Sequence, residues 1–95
     1  MATHLEQELS ELMRYLLQMT DLVIDAIEKS IIALKELDVN LAKEVIENDN
    51  QLDKLEILID NECTKILVTK QPAAADLRLI LAILKSNTDL ERIGD

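Results

Sequence analysis

Residues 5–23, LEQELSELMRYLLQMTDLV, decide the fold class of this chain. Apolar side chains recur there in alternating steps of four and three, and the same spacing continues to residue 37. This heptad spacing is typical of an α-helix that packs along one face. Further apolar residues widen the face, which favours a helix with two neighbours in a bundle. The seam consists of Leu5, Leu9, Leu12, Leu16, Met19, Val23, Ala26, Ser30, Ala33 and Leu37.

Two more helices follow the first. In the second, apolar residues recur every seven positions, at Val45, Leu52, Ile59 and Ile66. The third has its apolar face at Leu77, Ile80, Ile83, Leu84, Leu90 and Ile93.

The connections between the helices are short, and short connections give antiparallel neighbours. Asp38 either ends the first helix or caps the second. Pro72 breaks the second helix and starts the third, because proline is tolerated in a first helical turn. We therefore predict one all-α domain, an antiparallel up-down-up three-helix bundle of the spectrin-like kind, with helices over about 3–37, 39–70 and 73–95.

The predicted third helix is the shortest. At about 1.5 Å per residue, the helices are roughly 50, 45 and 33 Å long, so the third is truncated relative to its neighbours. The far end of the first two helices would then lack a covering helix. We expect Ile31, Leu34, Leu41 and Val45 to be partly exposed, and either a missing continuation of the chain or another copy to cover them.

Composition narrows the classes of function. The net charge of −9 disfavours nucleic acid and anionic membrane surfaces as partners. It leaves open a cation site, a basic protein partner or simple solubility. A single cysteine excludes an internal disulfide and a zinc–cysteine cluster, and favours a reduced, cytoplasmic setting. The polar N-terminus shows no signal peptide, and no apolar run approaches the ~20 residues of a membrane span.

Acidic pairs with i,i+4 spacing give the strongest indication of a site. Such pairs occur at Asp49 and Asp53, and again at Glu91 and Asp95, where the apolar face of the third helix would continue. Asp53 lies 19 residues before Pro72 and Glu91 lies 19 residues after it. In an antiparallel hairpin of straight helices, the two pairs therefore lie at the same height.

Four facing carboxylates would repel one another, by roughly 4 kcal/mol for each unit-charge pair at about 4 Å and an effective dielectric of 20. A divalent or trivalent metal ion would relieve this repulsion, and oxygen ligands suit Mg, Ca, Mn or Fe better than soft metals. The same spacing also occurs at solvent-facing positions of acidic helices, so spacing alone leaves a surface-charge interpretation open.

Nothing in the sequence indicates catalysis. There is no phosphate-binding glycine loop and no Ser-His-Asp set, and a carboxylate-bundle metalloenzyme would need Glu-x-x-His pairs, whereas His4 is the only histidine. We interpret His4 as an exposed residue and Cys63 as a small packing residue. Met13 and Met19 are interpreted as core residues.

Several spaced motifs resemble the PhoU family of bacterial phosphate-uptake regulators. They are Gln71-Pro-Ala-Ala-Ala-Asp-Leu-Arg and Leu90-Glu-Arg-Ile-Gly-Asp95, together with Leu41-Ala-Lys-Glu-Val-Ile-Glu-Asn-Asp49, Leu52-Asp53-x-x-Glu56 and Ile59-Asp-x-x-Cys63. The resemblance runs from about residue 8 to the end, and implies a three-helix unit that is usually present twice. Compared with that pattern, we expect this sequence to hold one such unit, with the second repeat absent and the third helix stopping at Asp95.

The resemblance also implies a function. Family members are negative regulators of the phosphate-starvation response that are not enzymes. They are thought to contact the ATPase of a phosphate ABC transporter and a sensor histidine kinase. Their E/D-x-x-x-D motifs hold metal ions, and by position these are Asp49/Asp53 and Glu91/Asp95 here. The metal is undetermined among Fe, Mn, Mg and Zn, and a homo-oligomer is expected. The alternative is a structural or oligomerisation bundle without a metal site.

Overall fold

The computed structural model describes residues 4–94, and these form three helices and no strand. The helices are α1 (His4–Glu36), α2 (Val39–Lys70) and α3 (Ala74–Gly94). Every pair of helices is in contact, and the molecule measures 51 × 24 × 17 Å. The predicted all-α three-helix fold is therefore confirmed.

Local sequence explains where the first two helices end. After α1, Leu37 adopts a left-handed conformation with φ of 54°. Asp38 then caps α2, since its Oδ1 accepts a hydrogen bond from the backbone N–H of Leu41 at 3.0 Å. Of the two roles predicted for Asp38, the structure thus shows the second. Gln71, with φ of 43°, terminates α2 immediately before Pro72.

Ion pairs at opposite ends of the molecule show that α1 and α2 are antiparallel. Lys70, the last residue of α2, lies 3.7 Å from Glu8 near the start of α1. At the other end, Lys29 of α1 lies 3.1 Å from Glu44 of α2. Contacts between α3 and the middle of α2, given below, complete the up-down-up order.

The core lies where all three helices run side by side. Met19, Ile59, Ile66 and Ile80 have no exposed surface. One expectation was wrong: Met13 is 39% exposed rather than part of the core, because it lies beside the buried seam of α1. The buried cluster comprises Leu9, Leu12, Met19, Val23, Leu52, Ile59, Cys63, Ile66, Ile80 and Ile83.

The α1–α2 hairpin extends past the end of α3, as the relative helix lengths predict. Ile31 and Leu34 are 54% and 77% exposed, and Leu41 and Val45 are half-buried. An open groove of about 460 Å³ lies between the two helices there, and its lining is mainly apolar. Ser30, Ala33 and Ala42 are its small lining residues, while Leu34, Leu37 and Ile46 are among the larger ones.

Candidate functional site

Three of the four predicted site residues lie on α2 and α3, at about the level where Gly94 ends α3. Asp49 and Asp53 of α2 and Glu91 of α3 are all half-buried. Asp49 shares its heptad position with Glu56, whose backbone contacts α3, and with Cys63 in the core. The fourth predicted residue, Asp95, lies outside the described residues.

Two contacts fix the register of α3 against α2. Asn87 donates a hydrogen bond from Nδ2 to the carbonyl oxygen of Glu56 at 2.9 Å. Gly94 lies so close to Leu52 that a Cβ added to it would overlap with Leu52 Cδ2. If residues at equal sequence distances before and after Pro72 lie at the same height, as predicted, Asn87 is level with residue 57 and Gly94 is level with residue 50. The observed contacts agree with that register to within two residues, so Glu91 lies near the level of Asp53.

Within residues 4–94, no three or more His, Cys, Asp or Glu side chains are grouped so that they could hold a metal ion. Because one of the four predicted ligands lies beyond that range, the metal set Asp49, Asp53, Glu91 and Asp95 stays a prediction. The side chains of Asp49, Asp53 and Glu91 have suitable donor atoms for a metal ion, since carboxylate oxygens bind Mg, Mn and Fe.

A small cleft beside Asp49 also includes residues of α1, which the sequence patterns did not identify. It has a volume of about 20 Å³, enough for roughly one water molecule. Asp25 and Lys29 of α1, Asn48 and Asp49 of α2, and Gly94 of α3 all line it. In the sequence, the i,i+4 spacing of Asp21 and Asp25 was the one pattern that pointed to acidic residues of α1. Spacing alone could not show that Asp25 is the one that lines the cleft with α2.

Lys29 neutralises part of the acidity at this end of the bundle. Its Nζ lies 3.1 Å from Asp25 Oδ2 and 3.1 Å from Glu44 Oε1. Hydrogen bonds to Asp25 and then to Glu44 raise the pKa of Lys29. This ammonium group therefore stays charged and ties α1 to α2 next to the cleft.

Cys63 and His4 are the two other side chains considered for reactivity. Cys63 has no exposed surface, and burial, followed by the nearby charges of Asp60 and Glu62, raises the pKa of its thiol to about 11. A protonated, buried thiol is a poor nucleophile, in agreement with a packing role. His4 is exposed, and its Nδ1 lies 3.4 Å from Glu8 Oε1.

The described residues form a small acidic bundle of three helices, with half-buried carboxylates on α2 and α3. The PhoU domain pattern matches residues 16–95, and the chain therefore belongs to the PhoU domain family. None of the described helices is both long and apolar enough to cross a membrane.

Curated relatives are named phosphate-specific transport system accessory proteins PhoU or their homologues. The chain is 50% identical to that of Pseudomonas putida over 93% of its own length and 34% of the relative. It is 43% identical to that of Aquifex aeolicus over 94% of its length and 40% of the relative. The Escherichia coli K12 protein is 39% identical over 93% of this chain and 36% of its own. The chain thus spans less than half of each of these relatives. No solved structure matches it significantly.

Proposed function

We propose that the chain acts as a negative regulator of phosphate uptake and of the phosphate-starvation response. The match to the PhoU domain over residues 16–95 carries this proposal, together with relatives named as accessory proteins of phosphate-specific transport. The regulator works by protein–protein contact rather than by catalysis. Its partners are the ATPase of a phosphate ABC transporter and a sensor histidine kinase, so it acts in the cytoplasm.

An exposed apolar strip on α1 supports a role in protein contact. Beside the buried seam, a second series of residues follows the same steps of four and three over residues 13–34. Leu17, Ile24 and Ile31 within it are 62%, 49% and 54% exposed. Strips of this size mark interaction surfaces more often than isolated exposed residues do. The outer strip consists of Met13, Leu17, Thr20, Ile24, Ile27, Ile31 and Leu34.

The overall charge of the chain favours a basic partner. Beside the outer strip itself the charge is mixed, since the exposed residues Asp21 and Glu28 follow strip residues and so do Arg14 and Lys35. With a chain charge of −9, electrostatic attraction would speed association with a basic surface and weaken as salt rises.

Binding to the purified ATPase and the purified kinase domain tests this part of the proposal. Ile24→Asn on the outer strip should weaken binding about tenfold or more. Ile57→Asn is the matched control, because Ile57 is 55% exposed on α2 and is not part of the strip. Equal affinities for the two variants, or the absence of binding to either partner, would refute partner contact through α1.

The second part of the proposal is a metal site formed by Asp49, Asp53, Glu91 and Asp95. The ion would be Fe, Mn, Mg or Zn, and it would offset the repulsion among the carboxylates. Replacing all four residues by Ala should abolish metal retention, measured by elemental analysis after loading and dialysis. Glu56→Ala with Asp60→Ala is the matched control, since this i,i+4 pair lies on the same helix. Equal metal content in both variants would exclude the site.

A structural bundle that self-associates without metal is the second candidate. The groove at the hairpin end favours it, because a second copy could cover this apolar surface and form a homo-oligomer. Sedimentation over a range of concentrations separates the candidates. If the chain self-associates equally with and without metal, and also binds neither partner, the structural bundle is favoured.

A further inference from the structure

Leu37 follows α1 at a position that leucine rarely occupies. Its backbone is left-handed, with φ of 54°, and the N–H of Asp38 donates a hydrogen bond to the carbonyl oxygen of Ala33 at 2.9 Å. In this kind of helix end, glycine or sometimes asparagine takes the left-handed position, because a Cβ is unfavourable there. Leucine at this position therefore lowers the stability of the folded chain relative to glycine or asparagine.

Contacts within the chain do not explain the choice of leucine. The side chain of Leu37 is 82% exposed and lines the groove between α1 and α2 at the hairpin end. Leu34 and Ile46 line the same groove and are 77% and 71% exposed. Contiguous exposed apolar surface of this kind is uncommon on monomers and marks interaction sites.

The groove has a shape that a copy of itself can fill. Its lining combines the small residues Ala33 and Ala42 with the large, exposed side chains of Leu34 and Leu37. At a two-fold axis, one patch meets the identical patch of a second molecule. The large side chains of one copy can then pack against the small residues of the other.

Charge favours a second copy over a basic partner at this surface. The groove is lined from residue 30 to residue 46, and this segment has two lysines and three acidic residues, so it carries only −1 of the chain's −9. Lys35, Glu36 and Lys43 are exposed and form no ion pair with the part of the chain that the structure describes. Unpaired charges of both signs around an apolar patch suit an identical surface, because each sign can meet its opposite across the axis.

We propose that this groove is the interface of a two-fold dimer, in which the α1–α2 hairpin ends of two copies pack together and bury Leu37 of each. The inference rests on the self-association named above as the second candidate, and it assigns the surface that associates. It does not require that partner binding be lost, since Leu17 and Ile24 of the outer strip do not line the groove.

Sedimentation equilibrium of the wild type, Leu37→Asn and Val68→Asn tests the proposal. Asparagine suits the left-handed conformation, so Leu37→Asn should fold at least as stably as the wild type. It should weaken dimerisation about tenfold or more, because one leucine from each copy is no longer buried. Val68 is 72% exposed near the opposite end of α2, so Val68→Asn is the matched control and should change the dissociation constant by less than about threefold.

A second variant and a second measurement locate the interface. Ala42→Glu places a charge in the groove without removing a large apolar side chain, and it should also weaken dimerisation about tenfold or more. In the wild type, the amide hydrogens of residues 31–45 should exchange more slowly as protein concentration rises and the dimer forms. Those around Val68 should exchange at a rate that does not depend on concentration.

The outcomes separate this interface from the regulatory role. A wild type that stays monomeric at every soluble concentration refutes the dimer, and a dimer that Leu37→Asn and Ala42→Glu leave unchanged refutes this interface. If the dimer forms here and neither the ATPase nor the kinase binds, the regulatory role fails and the interface stands. Binding of either partner by a chain that stays monomeric would have the opposite meaning.

Discussion

The side chain of Asn87 on α3 donates its Nδ2 hydrogen bond to the carbonyl oxygen of Glu56 on α2 over 2.9 Å. Asn87 is 2% exposed and is the single buried polar side chain among residues 4–94. Its Oδ1 has no hydrogen-bond partner within that range. The bond links two helices whose other core contacts are apolar, so it favours one axial register of α3 over neighbouring ones.

Replacing Asn87 with Leu should leave the free energy of unfolding unchanged or raise it by about 1 kcal/mol. Leu keeps the branching of the side chain, and the change removes an acceptor that is buried without a partner. The Glu56 carbonyl lies within α2 and retains its helical hydrogen bond. Urea denaturation measures the change, with Thr88→Leu on the exposed surface as the control. A loss above 1 kcal/mol would show that the Asn87 bond is a net source of stability.

Two leucines on α1 give a matched test of the core. Leu12→Ala should lower the free energy of unfolding by about 2–5 kcal/mol, because Leu12 is 1% exposed and its truncation leaves a cavity. The free energy of unfolding of a natural domain is about 5–15 kcal/mol, so the Leu12→Ala variant should be close to unfolding. Leu17→Ala, at a 62% exposed position, should change it by less than about 0.5 kcal/mol. Similar thermal midpoints for the two variants would contradict the assigned rotation of α1.

Removing the cap of α2 should have a moderate effect. Asp38→Ala loses the hydrogen bond to the Leu41 N–H and should cost about 1 kcal/mol of stability. Asp38→Asn keeps an oxygen in the same place and should cost much less. Chemical denaturation of the three proteins under identical conditions measures both effects. The cap would be unimportant if the Ala and Asn variants unfolded at the same denaturant concentration.

Burial of Cys63 predicts a stability change at alkaline pH. The pKa of the thiol is about 11 in the folded chain against 9.0 for the ordinary group, so the unfolded state loses its proton first as pH rises. The contribution of Cys63 to the free energy of unfolding is therefore fully present below about pH 9. It falls between about pH 9 and 11, by at most about 1.4 kcal/mol per pH unit.

Comparison with Cys63→Ala isolates the effect of this thiol from every other effect of alkaline pH on stability. The wild type should lose more stability than the variant over that range, and at pH 8 a thiol reagent should react with Cys63 only as fast as the chain opens. Rapid modification of the folded protein at pH 8 would mean that the thiol is accessible.

Much of the fold follows from local patterns in the sequence. The heptad steps from Leu5 to Met19 identify a helix and its buried face, and Asp38 and Pro72 mark the connections. Straight helices of known rise then give the register of α3 on α2 to within two residues. These features depend on backbone geometry, which varies little between proteins.

Features that depend on helix rotation and side-chain contact were not predictable. Met13 lies beside the buried seam, and the heptad pattern does not fix how far a bundle covers its flanks. The cleft formed by Asp25 and Lys29 requires knowing which of two acidic residues on α1 faces α2. The contact of Gly94 with Leu52 is a distance between particular atoms, and a lone glycine near a helix end has no pattern to reveal it.

The α1–α2 hairpin beyond the end of α3 has a consequence for amide exchange. Two helices protect the backbone there, with Lys29 and Glu44 as a link, whereas three helices enclose the segment from Leu9 to Val23. The amide hydrogens of residues 31–45 should therefore exchange through local opening of the hairpin, and those around Leu12 and Ile59 only when the whole bundle unfolds. The chain then carries a gradient of backbone protection along its 51 Å axis, with its least protected end next to the cleft that Asp25 and Asp49 line.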